Sequence, residues 1–237
     1  MVTLRYQERF KTAQGVFDEF THRNLFELHS RGTFDDLVSP VKVGKESNVF
    51  LAVKGTKKLI VKIYRVQNCD FRTMFAYIQK DPRYEFLKQK RREIIFSWTQ
   101  REYKNLFKAQ KANVLAPVPL AWKYNILVET MIGDEQPAPM LKDAHPREPP
   151  EFLELVVEEM KKLYQGGLIH GDLSAFNILH HQEKPYLIDF SQATLTKTPN
   201  AEELLERDVK NVIKFFRKLG AIADFEGMFN KITAKKG

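Results

Sequence analysis

Two acids and an amide crowd the stretch from Leu168 to Gln192, LIHGDLSAFNILHHQEKPYLIDFSQ. Asp172 precedes Asn177 by five residues, and Asp189 follows two short apolar runs at residues 178–181 and 186–188. These runs read as a β-hairpin that turns through Gln182-Glu183-Lys184-Pro185. Facing His181 with Tyr186 sets Ile178 opposite Asp189. Asn177 and Asp189 then share one end of the hairpin, with Asp172 on the loop leading in. Amide and carboxylate oxygens at one point suit Mg²⁺. A second carboxylate nearby can orient a nucleophile or take its proton. Phosphoryl transfer needs little more than such positioning and charge neutralisation. Acidic turn residues are also common on solvated surfaces, so the hairpin by itself decides nothing.

The elements that must position these groups come earlier in the chain. From Leu37 the pattern is β: residues 41–53 contain Gly44, and residues 57–64 place Lys62 between Val61 and Ile63. A strand lysine usually faces solvent; aimed inward, it is a cation for phosphates. Residues 65–92 are polar and lack clear periodicity, so they read as a helical insertion or a loop. A helix over residues 92–111 follows, with Ile95, Trp98, Glu102, Leu106 and Ala109 on one face. A carboxylate on an apolar stripe needs a partner, and Lys62 is the obvious one. Strands at 117–123 and 125–130 precede a Pro-rich linker, residues 133–150. Pro149-Pro150 opens a helix that Gly166-Gly167 ends. Pro199 opens another, striped by Leu205, Val209, Val212, Phe216 and Leu219 and stopped by Gly220, before a frayed tail from Lys231. Ahead of the sheet, residues 1–36 read as amphipathic helices with Phe10, Phe17, Phe20, Leu25, Phe26 and Leu28 recurring, and Thr21 as a cap of the second helix.

Composition narrows the class. The 237 residues carry net charge +8 and a 43% hydrophobic fraction, enough for a packed core. No apolar run approaches a membrane span, and the N-terminus has no signal-like region. The single Cys69 has no disulfide partner, which fits the cytoplasm. Residues 79–111 hold ten Lys/Arg against four Asp/Glu, a basic block suited to nucleic acid or simply to a solvated helix.

The order VGKESNVF, Lys62, Glu102, HGDLSAFN, IDFSQ resembles the protein-kinase-like superfamily: glycine loop, strand lysine, helix glutamate, catalytic loop, metal loop. The departures are a single glycine at Gly44, Asp189-Phe190-Ser191 in place of DFG, and no long activation segment. Within that superfamily GKESNVFLA, IVKIYR, FSWTQREYKNL, ILVETMIGDEQPAP, HGDLSAFNILH and YLIDFSQA resemble the RIO atypical kinases, over most of the chain. Residues 15–41 resemble the N-terminal extension of the first RIO subfamily, and the compact chain looks like an archaeal member.

The resemblance implies an α+β, two-lobed kinase-like fold. Residues 1–36 would be a helical extension and 37–132 an N-lobe with a small antiparallel sheet. Residues 133–150 would be the linker, and 151–237 a truncated helical C-lobe. It implies ATP with Mg²⁺, or Mn²⁺, as cofactors. Lys62 would hold the α/β phosphates and pair with Glu102. Asp172 would be the catalytic base, and Asn177 and Asp189 the metal ligands. Thr130 and Ile132 would bind adenine through their backbones, and Lys45, Glu46, Ser47 and Asn48 would lie over the phosphates. Glu129 departs from the apolar residue usual just before the hinge. The implied activity is serine/threonine kinase or ATPase, with transient phosphorylation of Asp189. The implied partner is the maturing small ribosomal subunit, reached through the basic insertion. Two other functions use similar parts: a small-molecule phosphotransferase of the aminoglycoside or choline kinase type, and an ATP-sensing rRNA-binding module.

Overall fold

A computed structural model describes residues 17–67 and 69–234; the expected helix around Phe10 lies outside them. Helix α1 (Glu19–Ser30) starts at Asp18, whose carboxylate accepts from the Thr21 N–H at 2.8 Å. Asp18, not Thr21, is therefore the cap. Thr21 is buried, and its hydroxyl accepts a hydrogen bond from Asn125.

Strands β1 (Asp36–Val43), β2 (Ser47–Lys54), β3 (Lys57–Tyr64), β4 (Pro119–Lys123) and β5 (Ile126–Thr130) form one antiparallel sheet in the order β1-β2-β3-β5-β4. Side chains alternate across it. Phe50, Ala52, Leu59, Val61, Ile63, Ile126 and Val128 pack outward against Leu25 and Leu28 of α1 and against Phe34. Each fully buried leucine there contributes roughly 1.5–3 kcal/mol. The other face carries Val49, Ile60 and Lys62 and looks into the cleft. The glycine-containing turn between β1 and β2 is tight. A Cβ at Gly44 would sit 2.8 Å from the Ser47 carbonyl oxygen, too close for any other residue.

The segment after β3 is helical. Asp70 caps α2 (Phe71–Ile78), and a 3₁₀ turn follows at Pro82–Tyr84. Both pack on α3 (Arg91–Lys111) through a separate apolar cluster that includes Met74, Ile78, Tyr84, Ile95 and Trp98.

Helix α4 (Pro149–Gln165) begins at its paired prolines, and the chain leaves it through Gly167 at φ +78°. The short strands β6 (Leu168–Ile169) and β9 (Thr194–Leu195) pair, and α5 (Ala201–Lys218) and α6 (Phe225–Thr233) complete the helical lobe. Of the expected stripe, Leu205, Val209, Val212 and Phe216 are buried and Leu219 is half-buried. The expected frayed tail is corrected over residues 231–233: they are the last turn of α6, and Ile232 is fully buried.

The central hairpin, β7 (Ile178–His181) with β8 (Lys184–Leu187), has a different register from the one the sequence suggests. His181 faces Lys184 and Ile178 faces Leu187. The turn is only Gln182-Glu183, both at positive φ (52° and 53°), the two-residue geometry whose twist matches paired strands. The Ile188 N–H donates to the Asn177 carbonyl, so Asp189 still leaves the hairpin beside Asn177. Residues 133–148 do more than link the lobes. The Leu141 N–H donates to the Ile178 carbonyl, the Pro139 carbonyl accepts from the His180 N–H, and Leu141 is fully buried.

Candidate active site

A cleft of about 590 Å³ separates the sheet from the helical lobe. Lys62 reaches it from β3, and its ammonium donates to Glu102 Oε1 at 2.8 Å and to Asp189 Oδ1 at 3.0 Å. The Tyr64 hydroxyl donates to Glu102 Oε2 at 2.5 Å. Both Glu102 oxygens thus accept hydrogen bonds; burial pushes its pKa up, and Lys62 together with these hydrogen bonds opposes that rise. Burial opposes the charge on Lys62 too, but Asp189 and then Glu102 raise its pKa well above the usual value. Lys62 therefore faces inward.

Asp189 is held at φ +62°, a left-handed conformation uncommon for a non-glycine residue. Burial disfavours its charge, yet Lys62 and the Ser191 hydroxyl, 2.7 Å away, bring its pKa down to about 2. Across the cleft floor, Asn177 Nδ2 donates to the Asp172 carbonyl at 2.8 Å. That orientation leaves Asn177 Oδ1 with no hydrogen bond among the described residues. Asp172 Oδ2 accepts from Gln192 at 3.2 Å. Burial, then the neighbouring Asp189, pushes the Asp172 carboxyl up, with Arg207 opposing. Glu46 is pushed up in the same way, first by burial and then by Asp189. The charge on Asp189 raises both Asp172 and Glu46, and with Lys62 as the facing cation the three carboxylates form a site short of positive charge. An amide oxygen and an accessible carboxylate suit Mg²⁺, which takes few protein oxygens and completes its shell with water and phosphate.

Most expected residues converge on this cleft: Lys45, Glu46, Ser47, Lys62, Glu102, Thr130, Ile132, Asn177 and Asp189 all line it. Asp172 stands just behind Asn177. Asn48 is the correction. Alternation along β2 turns its side chain to the opposite face from Ser47 and Val49, where it is fully buried. At the hinge, the Thr130 N–H donates to the Val118 carbonyl and the Ile132 carbonyl accepts from Ala138. Glu129 also lines the cleft, and burial followed by repulsion from Glu102 raises its pKa to about 8.

The sequence reading missed several polar groups that hold the two loops in place. Asp208, 1% exposed on α5, accepts from the Gly171 and Leu173 N–H groups at 2.7 Å each and so brackets Asp172. Its position on the stripe of Leu204, Leu205 and Val212 was a usable signal, the same one that pointed to Glu102. Asn105 of α3 donates to the Phe190 and Ala193 carbonyls. Arg207 donates to the Gly171 carbonyl. Gly171 sits at φ +76°, where a Cβ would meet the Gln192 carbonyl at 3.0 Å, so the two loops pack backbone against backbone.

Residues 48–228 match the family described as RIO domain. The chain is 38% identical to the RIO-type serine/threonine-protein kinase Rio1 of Haloferax volcanii over 99% of its own length and 81% of that protein's. It is 40% identical to the protein of the same name from Methanocaldococcus jannaschii, over 98% and 80%. A crystal structure of the Rio2 kinase of Chaetomium thermophilum, in an ADP/Mg²⁺-phosphoaspartate complex, superposes with TM-score 0.68 at 22% identity. It covers 89% of this chain and 66% of that one, and shows a shared two-lobed fold.

Proposed function

The chain belongs to the RIO family of atypical serine/threonine kinases, and from that premise we propose that its cleft transfers the γ-phosphoryl group of ATP to a protein hydroxyl. The observation that carries this is the double engagement of Lys62 by Glu102 and Asp189, with Asp172 and Asn177 on the facing lobe. Adenine lies against the hinge, accepting from the Ile132 N–H and donating to the Thr130 carbonyl. Lys62 neutralises the α and β phosphates, and Glu102 fixes its ammonium there. Lys45 and the Ser47 hydroxyl cover the phosphates from the turn above, beside Glu46. Asn177 Oδ1 and Asp189 would hold Mg²⁺, which would supply charge neutralisation of the phosphate oxygens. Asp172, with its raised proton affinity, orients the acceptor hydroxyl and takes its proton.

One observation favours a second acceptor. Asp189 Oδ1 is committed to Lys62 and Ser191, while Oδ2 has no hydrogen bond among the described residues. Attack by Oδ2 on the γ-phosphorus would break its bond to the bridging oxygen, release ADP and leave an acyl phosphate for water to hydrolyse. The phosphoaspartate of the Chaetomium thermophilum Rio2 complex supports this ATPase route. The biological setting we propose is small ribosomal subunit maturation. Seven of the ten cations in residues 79–111 are exposed (Lys80, Lys88, Lys90, Arg91, Arg92, Lys104 and Lys111), a surface suited to rRNA phosphates.

Incubation with γ-labelled ATP and Mg²⁺, with and without purified small subunits, tests these steps. Label that survives both acid and hydroxylamine identifies hydroxyl transfer, and hydroxylamine-labile label identifies the aspartate. Absence of both label and released phosphate would refute the reading.

A further inference from the structure

Ten cations lie in residues 79–111, and one of them is no surface charge. Arg101 is 1% exposed, although it neighbours Glu102 on a helix rich in solvated lysines. Its Nε donates to Asp81 Oδ2 at 3.0 Å, and its Nη1 donates to the Ser191 carbonyl at 2.6 Å. Asp81 is fully buried and belongs to the segment between α2 and the 3₁₀ turn. Arg83 grips the same carboxylate through Nε and Nη2, at 2.6 Å for the shorter ion pair. Ser191, in turn, donates its hydroxyl to Asp189. An unbroken chain of charge-assisted hydrogen bonds thus runs from the inserted segment through α3 to the residue after Phe190, two positions from Asp189. The second loop is reached as well: Tyr77 of α2 lies beside Arg207, which donates to the Gly171 carbonyl next to Asp172.

We propose that residues 70–84 are a positioning element of the phosphoryl-transfer site, with Asp81 as the residue that, through Arg101, fixes the Ser191 carbonyl and hence the Asp189 loop. The proposal rests on the kinase reading of the cleft. A buried ion pair of this kind need not add stability, because desolvation offsets attraction. Its geometric consequence is firmer. A planar guanidinium with two fixed partners sets the distance between the segment and the loop. Asp81→Asn leaves Arg101 with a neutral acceptor and frees the loop to drift. Asp189 would then reach its ligand position only part of the time, while the hinge and Lys62 still bind nucleotide.

The test compares wild type, Asp81→Asn and Arg83→Gln, each checked for native near-ultraviolet dichroism, in steady-state ATP turnover across a Mg²⁺ titration. Asp81→Asn is expected to lower kcat at least tenfold and raise the Mg²⁺ needed for half-maximal rate, with KM for ATP changed less than threefold. Arg83→Gln, whose side chain is partly exposed, is expected to do the same about threefold. A purely structural role would lower the melting temperature but leave both kinetic constants of the folded variants alone. Wild-type kcat and Mg²⁺ dependence in Asp81→Asn overturn the proposal. Should that variant fail to fold, Arg83→Gln decides by the same measure. An inert wild type overturns the kinase reading instead.

Discussion

Removal of the Asp208 carboxylate should uncouple the Asp172 loop from α5. The carboxylate accepts from two buried N–H groups, Gly171 and Leu173, at 2.7 Å each. Asp208→Ala leaves both without a partner. An unsatisfied buried donor costs about 1–3 kcal/mol, so the expected loss is roughly 2–6 kcal/mol, a large share of the ~5–15 kcal/mol of a folded domain. Asp208→Asn keeps one acceptor and should lose about half as much. The penalty depends on pH. Burial, against the two N–H donors and Arg207, raises the Asp208 pKa to about 7 from 3.8. A raised carboxyl takes up its proton in the folded state first, so wild type gains stability as pH falls through 7, and the alanine variant does not. The difference between them should grow by about 1 kcal/mol from pH 8 to pH 6. Turnover should fall as well, because a shift of about 1 Å in a catalytic group costs on the order of a hundredfold. Urea denaturation at the two pH values and kcat at saturating ATP measure all of this. An Asp208→Ala protein with wild-type stability and kcat would refute the reasoning.

Asp172→Asn should reduce phosphoryl transfer by about 10²–10⁴-fold while ATP binding, followed by nucleotide fluorescence, stays within a few-fold; undiminished turnover would remove Asp172 from the chemistry. Glu129, with its pKa near 8, adds a negative charge to the cleft as pH rises, so KM for ATP should climb between pH 7 and pH 9 in wild type and stay level in Glu129→Gln. His170 is 2% exposed and burial lowers its pKa to about 4. The unfolded chain therefore binds its proton first, and stability from this residue is lost as pH falls from about 6.5 to 4, by up to roughly 3 kcal/mol. His170→Gln should show a flatter acid limb in thermal melts, and an unchanged limb would count against a neutral buried imidazole.

The chemistry was easier to read from the sequence than the scaffold that holds it. The Lys62–Glu102 pair was legible from Glu102, because an acid on an apolar stripe needs a partner and the strand lysine was the obvious one. The Asp172–Asn177 spacing and the position of Asp189 survived even a wrong hairpin register. That error has a clear cause: Lys184-Pro185 looks like turn chemistry, whereas Gln182 and Glu183, which adopt positive φ, do not advertise it. Asn48 was misplaced because a motif was read as a continuous run, although alternate strand residues face opposite ways. Asp81 and Arg101 were illegible for a different reason. Their bond joins a segment without periodicity to a helix position that composition counts as one more surface cation.

Asp189 adopts a backbone conformation that glycine would take without penalty, and its side chain adds a second negative charge beside a lysine already matched by Glu102. Strain of this kind costs on the order of 1–3 kcal/mol. Asp189→Gly would abolish a metal ligand while relaxing the main chain and leaving Lys62 and Glu102 as a balanced pair. Against that gain stand the lost ion pair with Lys62 and the lost hydrogen bond from Ser191, which stabilise the ionised carboxylate in the folded state. The two effects are of similar size, so the inactive protein should melt close to the active one, and it is a demand for turnover that keeps an acid there.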